Sequence, residues 1–158
     1  MISENLMDTG SNISLKDFEF LKMLGVGGFS KVYLTREKRT NELFAIKTIR
    51  FPEKKDNILH KMQIQHERDI LVRIRHPFIV KLKYAFQSSK RFFLVMAFVQ
   101  GGEMLGYIKR ETKKTREIRT KFYAAQIALA LKYLHDQGIV YGDLKPENIL
   151  IDKYGYIK

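Results

Sequence analysis

The sequence contains no cysteine. That excludes a disulfide framework, a thiolate metal site and a cysteine nucleophile, and it fits a cytoplasmic or nuclear setting. No apolar run is long enough to cross a bilayer, and residues 1–16 lack the apolar stretch of a signal peptide. Met1 is followed by Ile2, so the N-terminal myristoylation motif is missing. Internal repeats and low-complexity segments are also absent. What the chain has in excess is positive charge: its 158 residues carry a net charge of +12, with 45% hydrophobic and 29% charged residues. This composition reads as globular, with enough chain to bury a core. The charge raises nucleic acid, membrane surfaces or acidic proteins as partners. Much of it falls in one stretch, where Lys109, Arg110, Lys113, Lys114, Arg116, Arg119 and Lys121 outnumber Glu111 and Glu117. The stretch also opens an amphipathic helix and has no interleaved aromatic platform, which argues against nucleic acid. A solvated helix face and a partner surface both remain open.

Chemistry-bearing residues concentrate between Ile139 and Asp152. Two short apolar runs, Ile139-Val140-Tyr141 and Ile149-Leu150-Ile151, flank Asp143, Lys145, Pro146, Glu147 and Asn148. The pattern reads as strand, loop, strand. A carboxylate, an ammonium and an amide on one loop suit phosphoryl transfer, in which a hydroxyl must be oriented, a moving phosphoryl group met by positive charge, and a metal ion ligated. A polar surface turn is the plain alternative for any one of these residues.

Upstream, Gly25-Val26-Gly27-Gly28-Phe29-Ser30 lies between two strand-like runs. Glycines there let backbone N–H groups approach an anion, although an ordinary hairpin turn has the same composition. Leu43 to Ile49 is apolar on both alternating faces and reads as a buried strand, with Lys47 on the face of Leu43, Ala45 and Ile49. An ammonium in that position needs an anionic partner, unless it is one of the many strand lysines that snorkel to water. Between Asn57 and Arg75 a helical pattern places Glu67 on the same face as Ile64, Leu71 and Ile74, and directs Asp69 elsewhere, toward water. His76-Pro77 ends that helix. Phe78 to Tyr84 and Arg91 to Phe98 read as two further strands joined by Ser88-Ser89-Lys90, with Phe92 to Met96 interior. From Glu117 to Gln137 the apolar positions Ile118, Phe122, Ala125, Leu129 and Tyr133 recur at helical spacing, and Gly138 supplies the stop.

Taken together, these residues resemble eukaryotic protein kinases. Asp143, Lys145 and Asn148 follow the order of the catalytic loop, H-R-D-L-x-x-x-N, and Lys145-Pro146-Glu147-Asn148 resembles the serine/threonine branch. Tyr141 in place of His resembles the AGC group, which includes cyclic-AMP-dependent protein kinase. Gly25, Gly27 and Val32 match the glycine-rich loop, with Ser30 at the third glycine's position, and Phe44-Ala45-Ile46-Lys47 resembles the V-A-I-K strand, Lys47 lying 22 residues after Gly25. The resemblance implies ATP and Mg²⁺ as cofactors. The backbone of Gly25, Val26, Gly27 and Gly28 would cover phosphates, Val32 and Ala45 would contact adenine, and Lys47 paired with Glu67 would hold the α- and β-phosphates. Met96 would be the gatekeeper, and Ala97 to Val99 the hinge. Glu103 would lie near the ribose and a basic substrate side chain, or else serve as a helix-start carboxylate. Asp143 and Lys145 would be catalytic, Asn148 would bind Mg²⁺, and Glu147 would receive a basic substrate residue. Gly142 departs from the pattern, since most such enzymes have an Arg there that pairs with a phosphate on the activation loop.

The expected fold is therefore α+β and kinase-like: an antiparallel sheet with one main helix in a small lobe, then the first helices and catalytic-loop hairpin of a large lobe. Residues 1–16 are expected to form a flexible leader, 17–99 the small lobe and hinge, and 100–158 a partial large lobe. The sequence stops before the Asp-Phe-Gly motif that the resemblance calls for, so this chain is expected to be catalytically incomplete and to expose the apolar face of its 117–137 helix. The implied function is phosphorylation of Ser or Thr in protein substrates, near basic residues, with a regulatory protein as a further partner. The alternative is an inactive nucleotide- or partner-binding fragment.

Overall fold

The computed structural model describes residues 13–28, 30–51, 58–110 and 112–158, and the chain divides into two units. One takes the chain up to Ile74 together with Lys81–Phe98; the other takes Arg75–Val80 and Val99–Lys158. Phe29, Asn57 and Glu111 lie outside the described residues, as do the side chains of Ile64, Lys113 and Lys114.

The first unit is a five-stranded antiparallel sheet, built from β1 (Phe18–Val26), β2 (Ser30–Glu37), β3 (Leu43–Arg50), β4 (Leu82–Gln87) and β5 (Arg91–Ala97), in the order β1-β2-β3-β5-β4. Helix α1 (Ile58–Arg73) joins β3 to β4. Strand alternation sorts the apolar side chains into two clusters. Phe18, Phe44, Ile46, Phe86, Phe93 and Val95 make one. Ile49, Leu82, Ala85, Phe92 and Leu94 make the other, closed by Leu71 and Val72 from α1. Two buried threonines inside the sheet are satisfied by backbone carbonyls, Thr35 donating to Phe44 and Thr48 to Lys31, each at 3.3 Å.

Two sequence expectations shift here. The leader read over residues 1–16 does not extend to its last residues, because Ile13 is buried in the first cluster and Ser14 caps a 3₁₀ turn at Leu15–Asp17. Reciprocal bonds make that cap a capping box: the Ser14 side chain accepts from Asp17 N–H, and Ser14 N–H donates to Asp17 Oδ2 at 2.7 Å. The fourth strand runs Leu82–Gln87 instead of Phe78 to Tyr84. Its start is delayed by a turn after His76-Pro77, in which Ile79 N–H donates to His76 O.

In the second unit, α2 (Met104–Arg110) and α3 (Lys113–Asp136) precede the polar loop. α3 ends as Gly138 suggests: at φ +71°, its N–H donates to His135 O, and Ile139 N–H to Leu134 O at 2.9 Å. That pair of bonds is the Schellman arrangement. Met104, Ile149, Ile151 and Ile157 form the unit's core, joined by Phe78, Tyr107, Tyr123 and Ile127. The apolar stripe read from the sequence is largely exposed, as expected, and α3 buries a different face. Gln126, Ala130 and Leu134 are buried, whereas Ile118, Phe122 and Leu129 are exposed. α3 is apolar on more than one side, so periodicity alone does not say which stripe the neighbours cover.

The anticipated catalytic-loop hairpin does not form between its two apolar runs. Leu150 and Ile151 pair instead with Glu103 and Ile157, while Val140 and Tyr141 are exposed and enter no strand. The Tyr141 carbonyl accepts from Asp143 N–H, which turns the chain before a ladder could start.

Candidate active site

Antiparallel pairing places directly opposed residues on one face, and the register brings the expected nucleotide-facing residues into two adjacent rows. Gly25 opposes Val32, Val32 opposes Lys47, and Lys47 opposes Leu94. Two residues along, Leu34 opposes Ala45 and Ala45 opposes Met96. Val32, Ala45, Lys47 and Met96 thus share the sheet face to which Leu71 and Val72 of α1 pack. That docking sets the Lys47 contact, because Glu67 lies one turn before Leu71. Lys47 Nζ donates to Glu67 Oε1 at 2.7 Å, the two side chains being 30% and 42% exposed. A pair this accessible adds on the order of 1 kcal/mol or less to stability. Its main effect is to fix the direction of the ammonium. Asp69 turns away to the guanidinium of Arg68, as its helical position suggested.

The glycine-rich segment spans the β1–β2 turn, closed by Gly27 N–H donating to Ser30 O at 2.8 Å. A Cβ on Gly25 or Gly28 would meet nothing within 4 Å. There is room above the backbone for a ligand that needs close approach. Val26 is exposed on the same turn. Met96 and Ala97 end β5, and Ala97 N–H is engaged by Lys81 O at 3.0 Å. Val99 is buried in the second unit. Glu103, exposed, immediately precedes α2 and bridges to Leu150 through its backbone.

In the polar loop the three expected residues converge. Lys145 Nζ donates to Asp143 Oδ1 at 3.0 Å, and Asn148 Nδ2 donates to Asp143 Oδ2 at 2.8 Å and to its carbonyl at 2.9 Å. Hydrogen bonds from Lys145, then from Asn148, hold the Asp143 carboxyl below the usual carboxylate range, and the same contact raises Lys145. Both groups are therefore charged at neutral pH. Because Asn148 spends its N–H₂ group on Asp143, its Oδ1 is the end left to face a cation. Pro146–Asn148 form a 3₁₀ turn with Glu147 exposed on it. Among the described residues no cluster of three or more His, Cys, Asp or Glu could hold a metal ion. One amide oxygen suits Mg²⁺, which keeps waters and takes phosphate oxygens as ligands, better than a metal that requires a full protein cage.

The protein kinase domain profile matches residues 18–158. The chain belongs to the protein kinase domain family. It is 48% identical over 149 residues to the RAC serine/threonine-protein kinase of Drosophila melanogaster, covering 92% of this chain and 24% of that protein. It is 42% identical over 154 residues to cAMP-dependent protein kinase type 3 of Saccharomyces cerevisiae (96% and 37%), and 43% identical over 151 residues to human RAC-beta serine/threonine-protein kinase (94% and 30%). The chain thus spans a quarter to a little over a third of these relatives. They are AGC-group kinases, as Tyr141 suggested.

One residue of this kinase domain was not singled out as a site residue. Tyr141, 43% exposed, lies beside the loop; partial burial, then the Asp143 charge, pushes its phenol up, and a hydrogen bond with Asn148 partly offsets this. The available signal was its position two residues before Asp143.

Proposed function

We propose that this chain is part of an enzyme that transfers phosphate from ATP to Ser or Thr hydroxyls of proteins. The observation that carries the reading is the pairing of Lys47 with Glu67 on the same sheet face as Val32, Ala45 and Met96. ATP with Mg²⁺ would supply the γ-phosphoryl group and the cation that bridges its oxygens. Lys47, directed by Glu67, would bind the α- and β-phosphates. Val32, Ala45 and Met96 would offer an apolar surface to adenine, with hinge contacts from the Ala97 to Val99 backbone, and N–H groups of Gly25, Val26, Gly27 and Gly28 would cover the phosphates. Asn148 would hold Mg²⁺ through Oδ1.

Asp143 would orient the substrate hydroxyl and accept its proton. A carboxylate held below its usual range is a weak base, so the proton moves late, when the departing metaphosphate-like group has made the hydroxyl strongly acidic. Lys145 would steady the negative charge on the transferring group. Glu103 and Glu147, both exposed, would attract basic residues near the target hydroxyl.

ATP binding with and without Mg²⁺, followed by phosphorylation of a basic Ser/Thr peptide, tests this reading. Lys47→Ala is expected to weaken ATP binding at least tenfold, the equivalent of about 1.4 kcal/mol. Asp143→Asn should leave binding intact and abolish transfer. If Lys47→Ala binds ATP as tightly as the unsubstituted chain, the assignment is wrong. Binding without transfer by the unsubstituted chain would make it a nucleotide-binding module instead.

A further inference from the structure

We infer that Thr40 is a phosphorylation site, and that a phosphate there opens the β2–β3 turn by leaving the buried carboxylate of Glu37 without a donor. The inference takes from the functional reading above only the class of catalyst, an ATP-dependent Ser/Thr kinase that selects basic residues. It holds whether or not this chain is itself such an enzyme.

The turn is closed from within. Glu37 N–H donates to Glu42 O at 2.9 Å and Asn41 N–H to Glu37 O at 2.8 Å, with Asn41 at φ +60°, a conformation Asn tolerates better than most residues. Glu37 opposes Phe18, so its side chain lies on the sheet face of the first apolar cluster, and it is 1% exposed. A carboxylate buried so deeply needs donors. Among the described residues Thr40 Oγ1 donates to Glu37 Oε2, and Glu37 Oε1 has no partner. The same hydroxyl accepts from Glu42 N–H at 3.2 Å. One side chain therefore satisfies both the buried acid and the turn backbone.

Thr40 is nevertheless exposed, as are Arg36, Lys38 and Arg39 just before it. Cations beside a hydroxyl are what the acidic residues of a basic-selecting kinase would attract. In the transfer, Thr40 Oγ1 attacks the γ-phosphorus of ATP. The new P–O bond forms as the bond to the β-phosphate oxygen breaks, ADP leaves, and the hydroxyl proton passes to the catalyst's carboxylate. That proton is the one shared with Glu37. The ester oxygen left behind cannot donate, and the phosphate adds a charge of about −1.5 to −2 beside a carboxylate. Lys38, whose Nζ donates to Lys16 O at 2.8 Å, and the exposed Arg39 can offset the phosphate from the solvent side. Both Glu37 oxygens are then without a donor, and opening the turn relieves this by admitting water.

The test treats the full chain with ATP, Mg²⁺ and an added Ser/Thr kinase selective for basic residues, and maps phosphate by tandem mass spectrometry. Position 40 should be modified in the unsubstituted chain and in Thr40→Ser, and not in Thr40→Val. The phosphate should lower the thermal midpoint by roughly 4–10 °C and speed amide exchange at Asn41 and Glu42 roughly tenfold. Thr40→Val, which lacks the donor and adds no charge, should lower the midpoint by part of that amount. In Glu37→Gln, whose amide N–H can meet a phosphate, modification should shift the midpoint much less than in the unsubstituted chain. An unmodified Thr40 alongside a fully phosphorylated basic control peptide would overturn the inference. So would a phosphate that leaves the midpoint and both amides unchanged, or an equal shift in Glu37→Gln. Because the added kinase supplies the chemistry, these outcomes are independent of transfer by this chain, which the assay of its own activity decides.

Discussion

A carboxylate that accepts from both an ammonium and an amide has its protonation set mainly by those donors. For Asp143 the larger contribution is the bond from Lys145, followed by that from Asn148. Since the folded value is depressed, the bonds contribute stability above the ordinary carboxylate range and lose it as pH falls through the lowered folded value. Lys145→Met should consequently raise the Asp143 midpoint toward the ordinary range, as followed by side-chain carboxyl NMR, and an unmoved midpoint would refute the pairing. The Lys47–Glu67 contact could be anticipated for a similar reason. An ammonium on an apolar strand and a carboxylate within an apolar helix stripe each need a counter-charge, and strand and helix periods fix which faces they occupy. The γ-turn at Gly142 carries no such signal, because glycine permits many conformations and selects none. The link from Tyr141 to Asn148 was equally hidden.

Among the elements, strands could be read more securely than loops and helix faces. Phe92, Phe93, Leu94 and Val95 are all buried, as a uniformly apolar run requires of a central strand. On α3 the apolar stripe of Ile118, Phe122 and Leu129 is exposed, as expected, but its regularity does not reveal that Ala130 and Leu134 supply the buried face. This makes a sharp contrast testable: Leu134→Ala, at a position 6% exposed, should cost about 2–4 kcal/mol in urea unfolding, whereas Leu129→Ala, at 55%, should cost well under about 1 kcal/mol. Ile118→Glu should raise solubility at little cost, since it breaks the exposed apolar series near the start of α3. The turn between α1 and β4 has its own titration. Burial, then the charge of Lys158, pushes the His76 imidazole down, while its Nδ1 accepts from Phe78 N–H at 3.2 Å and its ring stacks on Tyr133. A histidine favoured in its neutral form contributes fully above its ordinary pKa and progressively less as pH falls below it. His76→Asn keeps an acceptor at the Nδ1 position and cannot titrate. Its thermal midpoint should fall less than that of the unsubstituted chain between about pH 7 and pH 5, and equal falls would remove His76 as the cause.

At the scale of the whole molecule the dominant quantity is charge, with 29 Lys and Arg against 17 Asp and Glu. Local pairs such as Lys121 with Glu117 and Lys132 with Asp136 are exposed and i,i+4, so each contributes only a few tenths of a kcal/mol and is readily screened. Repulsion among the excess cations acts over longer distances, and the folded chain brings those cations closer together than the unfolded chain does. Raising NaCl from about 0.01 M to about 0.1 M shortens the Debye length from about 30 Å to about 10 Å. Over that interval repulsion between distant cations is largely removed, while contacts near 3 Å are weakened much less. The thermal midpoint should therefore rise with salt, and a charge-reducing substitution at an exposed lysine outside the site, such as Lys109→Gln, should shrink the rise. A midpoint that falls as salt increases would mean that the short ion pairs outweigh the net charge, and would reverse the order of these two effects.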